Sequence, residues 1–153
     1  MKIEKVAIVG RGALGILYGA HFTEKLGKQA VSFVAGEDRI ERYMSSQPVC
    51  NGRACDFSYI SEKNEGNPAD LVIFAVKSTK LEEALKTAKN VIGEDTVIIS
   101  VLNGISSEKI IASEYGSERI IHCVAQGMDA VKLGDELTYS KTGELIVGSP
   151  EAE

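Results

Sequence analysis

The apolar run Val6-Ala7-Ile8-Val9 passes directly into Gly10-Arg11-Gly12-Ala13-Leu14-Gly15 and then into a stretch with helical spacing. The chain must therefore make a strand, a glycine turn and a helix in immediate succession. Each glycine has its own task in such a turn. The first permits a tight reversal, the second lets the backbone come close to a pyrophosphate, and the third lets helix and strand pack closely. The helix start then presents unpaired amides and the positive end of its dipole to phosphate groups. On the helix, Gly15, Gly19, Phe22 and Leu26 share one face, which puts the smallest side chains nearest the turn. A glycine inside a helix costs about 1 kcal/mol against alanine, so Gly19 indicates close packing. The reading is a dinucleotide site; the alternative is a glycine turn that only connects two elements.

Further along, residues 30–34 read as a second strand and 38–44 as a short helix. Asn51-Gly52 is a strong hairpin signal, so residues 48–59 read as a β insertion in which 50 faces 53 and 48 faces 55. The almost uniformly apolar stretch 71–76 has the pattern of a strand covered on both faces. A helix follows, with Thr79 and Glu82 as a capping box and Leu81, Ala84, Leu85 and Ala88 as its apolar stripe. Residues 97–102 are another buried strand, 107–113 a short helix and 119–123 a further strand; 137–139 and 145–147 read as a closing antiparallel hairpin. The alternation predicts an α/β fold of Rossmann type. It is a doubly wound, mostly parallel sheet with a β-hairpin insertion and an antiparallel C-terminal hairpin, forming one domain over residues 1–153.

The net charge of −5 and pI near 5.2 leave no broad cationic surface, which argues against nucleic acid as a partner. No apolar run approaches membrane-spanning length, and Met1-Lys2-Ile3-Glu4-Lys5 leads into a strand without a secretory apolar segment. The three cysteines are expected to be reduced and the protein cytoplasmic; with two scattered histidines they are too few to suggest a metal site.

Ligands in such sheets sit beyond the carboxyl ends of the strands. Besides the glycine turn, Lys77-Ser78 and Asn103-Gly104 follow apolar strands there. Lys77 can reach a phosphate, a ribose or a carboxylate, or can be a solvated charge beside a helix start. Asn103 can hold a ribose, a nicotinamide amide or a substrate hydroxyl, with an ordinary Asn-Gly turn as the alternative. After the second strand, Gly36-Glu37-Asp38-Arg39 offers an acid for a ribose 2′-hydroxyl and an arginine for a 2′-phosphate. Arg39 favours NADP over NAD; the competing role for it is an ion pair with Glu37 or Glu41. His21 and His122 read as structural, and Ser106 or Ser107 as a helix cap. The residues hold a cofactor without holding a proton donor.

Taken together, the Gly10 to Gly15 turn, Phe74-Ala75-Val76-Lys77, Leu102-Asn103-Gly104 and Gly127-Met128-Asp129-Ala130 resemble the N-terminal half of the ketopantoate reductase (2-dehydropantoate 2-reductase) family, from Lys2 to about Gly148. The resemblance implies reduction of ketopantoate with NADPH in pantothenate biosynthesis. By position it implies that Gly10, Arg11, Gly12, Ala13, Leu14 and Gly15 bind pyrophosphate and that Lys77 contacts cofactor or substrate. It also implies that Asn103 lies at the nicotinamide and that Ala130 touches cofactor through its backbone. Where the family often has an arginine just after the second strand, this chain has Ala35-Gly36 and delays the arginine to Arg39. The family's catalytic lysine and glutamate belong to a helical C-terminal domain that has no counterpart in these residues, so no catalytic residue is assigned and the chain alone is expected to be inactive. The implied partners are a small 2-oxo acid, that helical domain and a second copy of the chain. The alternatives are a regulatory module that senses NAD(P), and the cofactor domain of another hydroxy-acid dehydrogenase.

Overall fold

In the computed structural model, which describes residues 1–102 and 106–148, the first apolar run is β1 (Val6–Val9) and the glycine turn leads into α1 (Ala13–Leu26). Then come β2 (Val31–Ala35), α2 (Glu37–Met44), the short strands β3 (Val49–Cys50) and β4 (Arg53–Ala54), β5 (Ser58–Ser61) and β6 (Leu71–Phe74). The second half contributes α3 (Leu81–Thr87), β7 (Val97–Ser100), α4 (Ser106–Tyr115), β8 (His122–Met128), β9 (Val131–Leu133), β10 (Glu136–Thr138) and β11 (Thr142–Gly148).

Five strands form a wholly parallel sheet in the order β5-β2-β1-β6-β7. The two-residue period of a strand decides which helix each side chain meets. Val6, Ile8, Leu71 and Ile73 pack with Ile16 and Leu17 of α1, whereas Ala7, Val9, Val72 and Phe74 pack with Leu81 and Leu85 of α3 and Ile111 of α4. Both faces are thus covered, and burying a side chain such as Phe33, Ile73 or Phe74 contributes about 1.5–3 kcal/mol. From β1 the chain winds outward to β2 and β5 on one side and to β6 and β7 on the other. The strand order therefore reverses between β1 and β6, and a crevice opens over the carboxyl ends there.

The Asn51-Gly52 hairpin forms as expected. Both turn residues have positive φ (+49° and +78°), Cys50 faces Arg53, and the Cys55 amide donates to the Pro48 carbonyl at 2.8 Å. The expected insertion, however, ends earlier, because Ser58–Ser61 is a fifth, edge strand of the parallel sheet. The capping box does not form: Ser78–Lys80 is a 3-10 turn and α3 starts at Leu81 without a side-chain cap.

Residues 119–123 do not make a strand of the parallel sheet. Only Ile120 bridges to Ile98, and from His122 the chain forms β8, outside the parallel sheet. In β8 Cys123 is buried while Val124 and Gln126 are exposed, the alternation of a one-sided antiparallel ribbon. Antiparallel pairing does close the chain, but with other partners than 137–139 against 145–147. β11 pairs with β8 from Thr142↔Met128 to Gly148↔His122, and β10 pairs with β9 across Gly134-Asp135 and in parallel with β3. Leu137 is buried in that small sheet. The Asp129 carboxylate accepts the amides of Ser140 (2.8 Å) and Lys141 (2.7 Å) as well as the Ser140 hydroxyl, tying the β8–β9 corner to the β10–β11 corner. Those bonds, the hydroxyl's first, hold its carboxyl down at a pKa of about 2.

Candidate functional site

Packing divides the three glycines of the turn into two kinds. Gly10 has φ +105°, and a Cβ on it would lie 2.3 Å from the Ala75 carbonyl oxygen at the end of β6. A Cβ on Gly15 would lie 2.0 Å from the Gly10 carbonyl oxygen, and one on Gly19 2.6 Å from the Phe33 ring. Gly15 and Gly19 are glycine because α1 is pressed onto the turn and β2, and Gly10 because the turn, at positive φ, is pressed onto the end of β6. Gly12 differs: it has ordinary extended backbone (φ −82°, ψ −163°), and a Cβ on it would meet nothing within 4 Å. No contact among the described residues requires a glycine there.

Gly12 is the residue just before α1, and its carbonyl accepts the first helical bond, from the Ile16 amide at 3.0 Å. Residues 13–15 therefore have no helical acceptor for their amides. Among the described residues no side chain caps this end, and no acid lies in the first turn. A 14-residue helix thus ends in bare donors with a positive dipole end beside an empty glycine. Gly12, Ala13 and Leu14 line a cleft of about 500 Å³ with Ala75, Val76, Lys77, Ser78, Val101 and Leu102. The exposed Lys77 and the glycine turn are thereby brought to one crevice, as the sequence predicts. Asn103 lies outside the described residues.

Arg11 takes another direction. It is only 8% exposed. Its guanidinium donates to the Tyr43 carbonyl (2.9 Å), the Tyr59 hydroxyl (2.8 Å) and the Ser46 hydroxyl (3.1 Å). It also sits 4.4 Å from the Tyr43 ring centre and 3.6 Å from the Asp135 carboxylate. The side chain is a strut joining the turn to α2, β5 and the β9–β10 corner, and Arg11 is not in the lining of the cleft. Ala130, between β8 and β9, packs partly buried against the α1-side core and is not in the cleft lining.

A second, narrow crevice flanks the first, between the ends of β1 and β2 and the start of α3. Gly10, Gly36, Arg39, Tyr43, Lys80 and Glu83 line it. Arg39 pairs with Glu83 at 3.5 Å, while Glu37 pairs with Lys63, so neither local acid is its partner. Sequence reasoning missed Lys80 and Glu83; their only signal was position, one turn beyond the end of the buried 71–76 run. His21 and His122 are exposed away from both crevices. Ser107, buried, bonds the Ser100 hydroxyl (2.9 Å) and Glu108 (3.2 Å) instead of capping α4. Among the described residues no group of three or more His, Cys, Asp or Glu side chains could hold a metal, and no helix is long and apolar enough to cross a membrane.

Residues 6–151 match the family model described as Ketopantoate reductase PanE/ApbA. The chain belongs to the ketopantoate reductase family. A 2-dehydropantoate 2-reductase from Aquifex aeolicus is 30% identical over 99% of this chain and 48% of its own length. An uncharacterized oxidoreductase, YkpB, from Bacillus subtilis is 26% identical over 76% of this chain and 39% of its own. The solved 2-dehydropantoate 2-reductase from Geobacter metallireducens superposes with a TM-score of 0.76 at 25% identity, covering 95% of this chain and 49% of that one. A D-mandelate dehydrogenase solved with NADH has the same fold, with a TM-score of 0.77 at 22% identity over 97% of this chain and 48% of that one. The chain spans about half the length of the curated relatives it matches. Within the ketopantoate reductase family its central sheet is Rossmann-like.

Proposed function

We propose that the chain is the NADPH-binding part of an oxidoreductase that reduces a small 2-oxo acid, ketopantoate in the first place, in the cytoplasmic route to pantothenate. The observation that carries this reading is Gly12, a glycine that no contact among the described residues requires, set in the lining of a cleft at the start of α1, where the amides of residues 13–15 have no helical acceptor. A pyrophosphate there accepts from those amides and gains from the dipole of α1. Arg39, at the crevice beside Gly10 and Gly36, takes a ribose 2′-phosphate. Lys77, across the cleft from the turn, contacts the nicotinamide end or the carboxylate of the oxo acid. Asn103 has the donor and acceptor needed beside the nicotinamide, and the Ala130 backbone remains a contact that the family resemblance supports.

NADPH, when bound, supplies the hydride. Protonation of the resulting alkoxide needs a general acid, help worth about 10²–10⁴-fold in rate. No histidine or carboxyl group reaches the lining of the larger cleft among the described residues. In this reading the proton donor comes from the part of the relatives that the chain does not span.

Calorimetric titration with NADPH and NADH tests the proposal. Saturable NADPH binding is expected, with Arg39→Ala weakening NADPH about ten-fold more than NADH. Equal losses remove Arg39 from the 2′-phosphate, and an unmodified chain that takes up neither dinucleotide overturns the proposal.

A further inference from the structure

The narrow crevice holds three charges from separate elements: Arg39 on α2, Lys80 in the 3-10 turn and Glu83 on α3. The Glu83 carboxylate stands 3.5 Å from the Arg39 guanidinium and 3.8 Å from the Lys80 ammonium, so one anion serves two cations. The Lys80 pair is an ordinary neighbour contact along the chain, worth a few tenths of a kcal/mol on a helix surface. The Arg39 pair is different in kind, since it links α2 to α3 within the crevice that both residues line. The space left there is about 20 Å³, room for about one water.

We infer that Glu83 is a built-in competitor of the ribose 2′-phosphate and thereby a specificity-determining residue, with Lys80 as the second cation of that subsite. The inference rests on the functional reading above. A phosphate monoester carries a charge of about −1.5 to −2 near neutral pH. It must take Arg39 and Lys80 from Glu83 and then lie beside a like charge. Against two cations and one carboxylate it meets a net charge of +1; without the carboxylate it meets +2. The 2′-hydroxyl of an unphosphorylated dinucleotide carries no charge and is insensitive to this difference. Whatever Glu83 does to the opening of the crevice acts on both ligands, so only the ratio of their affinities isolates the competition.

Glu83→Gln keeps the shape and removes the charge, and the side chain is 57% exposed, so the fold tolerates the change. The ratio of NADPH to NADH affinity, from parallel titrations at low ionic strength, is expected to rise about ten-fold in Glu83→Gln. In 1 M salt, where charges are screened beyond about 3 Å, most of that gain should vanish. Lys80→Gln should move the ratio the other way, by several-fold, with NADH affinity unchanged. A thermal melt of each variant close to that of the unmodified chain shows that the fold is intact. A ratio in Glu83→Gln within two-fold of the original, or NADPH and NADH shifted alike, overturns the role of Glu83 and leaves the functional reading standing. An unmodified chain that binds neither dinucleotide overturns both.

Discussion

Gly12→Val removes dinucleotide binding and leaves the fold in place: NADPH affinity measured by calorimetry falls at least about 100-fold, while the melting temperature drops by no more than a few degrees. The fold survives because a Cβ at this position meets nothing within 4 Å and the backbone is in an extended conformation that valine also adopts. Valine is a poorer residue than glycine at the start of a helix, at a cost of about 1 kcal/mol, or roughly 2–4 °C in a domain of this size. Binding is lost because the new methyl groups would take up open space in the cleft lining beside the helix start, where the proposed pyrophosphate would lie. A factor of 100 corresponds to about 2.7 kcal/mol, less than several charge-assisted hydrogen bonds together supply. Full NADPH affinity in this variant would show that the open space is not where the phosphates lie.

Gly15→Ala has the opposite outcome. Its Cβ would fall 2.0 Å from the Gly10 carbonyl oxygen and 3.0 Å from the carbonyl carbon, both backbone atoms of the turn that starts the helix. No side-chain rotation relieves that contact. Either α1 lifts from the turn or the turn itself opens, and the second course is blocked because Gly10 already presses on the Ala75 carbonyl. Overpacking of this kind costs about 3 kcal/mol, a large part of the roughly 5–15 kcal/mol that holds a domain folded. A thermal melt followed by circular dichroism should show a fall of roughly 6–12 °C. A variant that melts with the original chain would mean that helix and turn are not in contact. The two substitutions, three residues apart in one motif, thus separate a glycine that the ligand requires from one that the fold requires.

That distinction was beyond the sequence. The spacing of Gly10, Gly12 and Gly15 identified the turn, but only the positions of Ala75, Gly10 and Phe33 in space show which of them are packed. Arg11 illustrates the same limit: Tyr43, Tyr59 and Asp135, which receive its side chain, lie far along the chain, and adjacency to the glycines gave no hint of them. Likewise the acid beside Arg39 is Glu83, supplied by α3, four strands further along the chain, and not Glu37 or Glu41. Elements with unambiguous local chemistry were legible, namely the uninterrupted apolar strands β1, β6 and β7 and the Asn51-Gly52 turn. β5 was not, because Ser58-Tyr59-Ile60-Ser61 has neither an apolar run nor an alternation, and an edge strand needs neither. Nor were the partners of the closing strands: short apolar triplets can pair with any neighbour, and the choice fell to the seven-residue strand β8, which offers β11 a longer ladder than Glu136–Thr138 could.

The start of α1 is the proposed seat of the diphosphate. The most direct measurement is the amide NMR spectrum of ¹⁵N-labelled chain titrated with NADPH. The largest shifts are expected at Gly12, Ala13, Leu14 and Gly15, with the same amides responding to inorganic pyrophosphate alone. Binding that shifts other amides and leaves these four unmoved would contradict it.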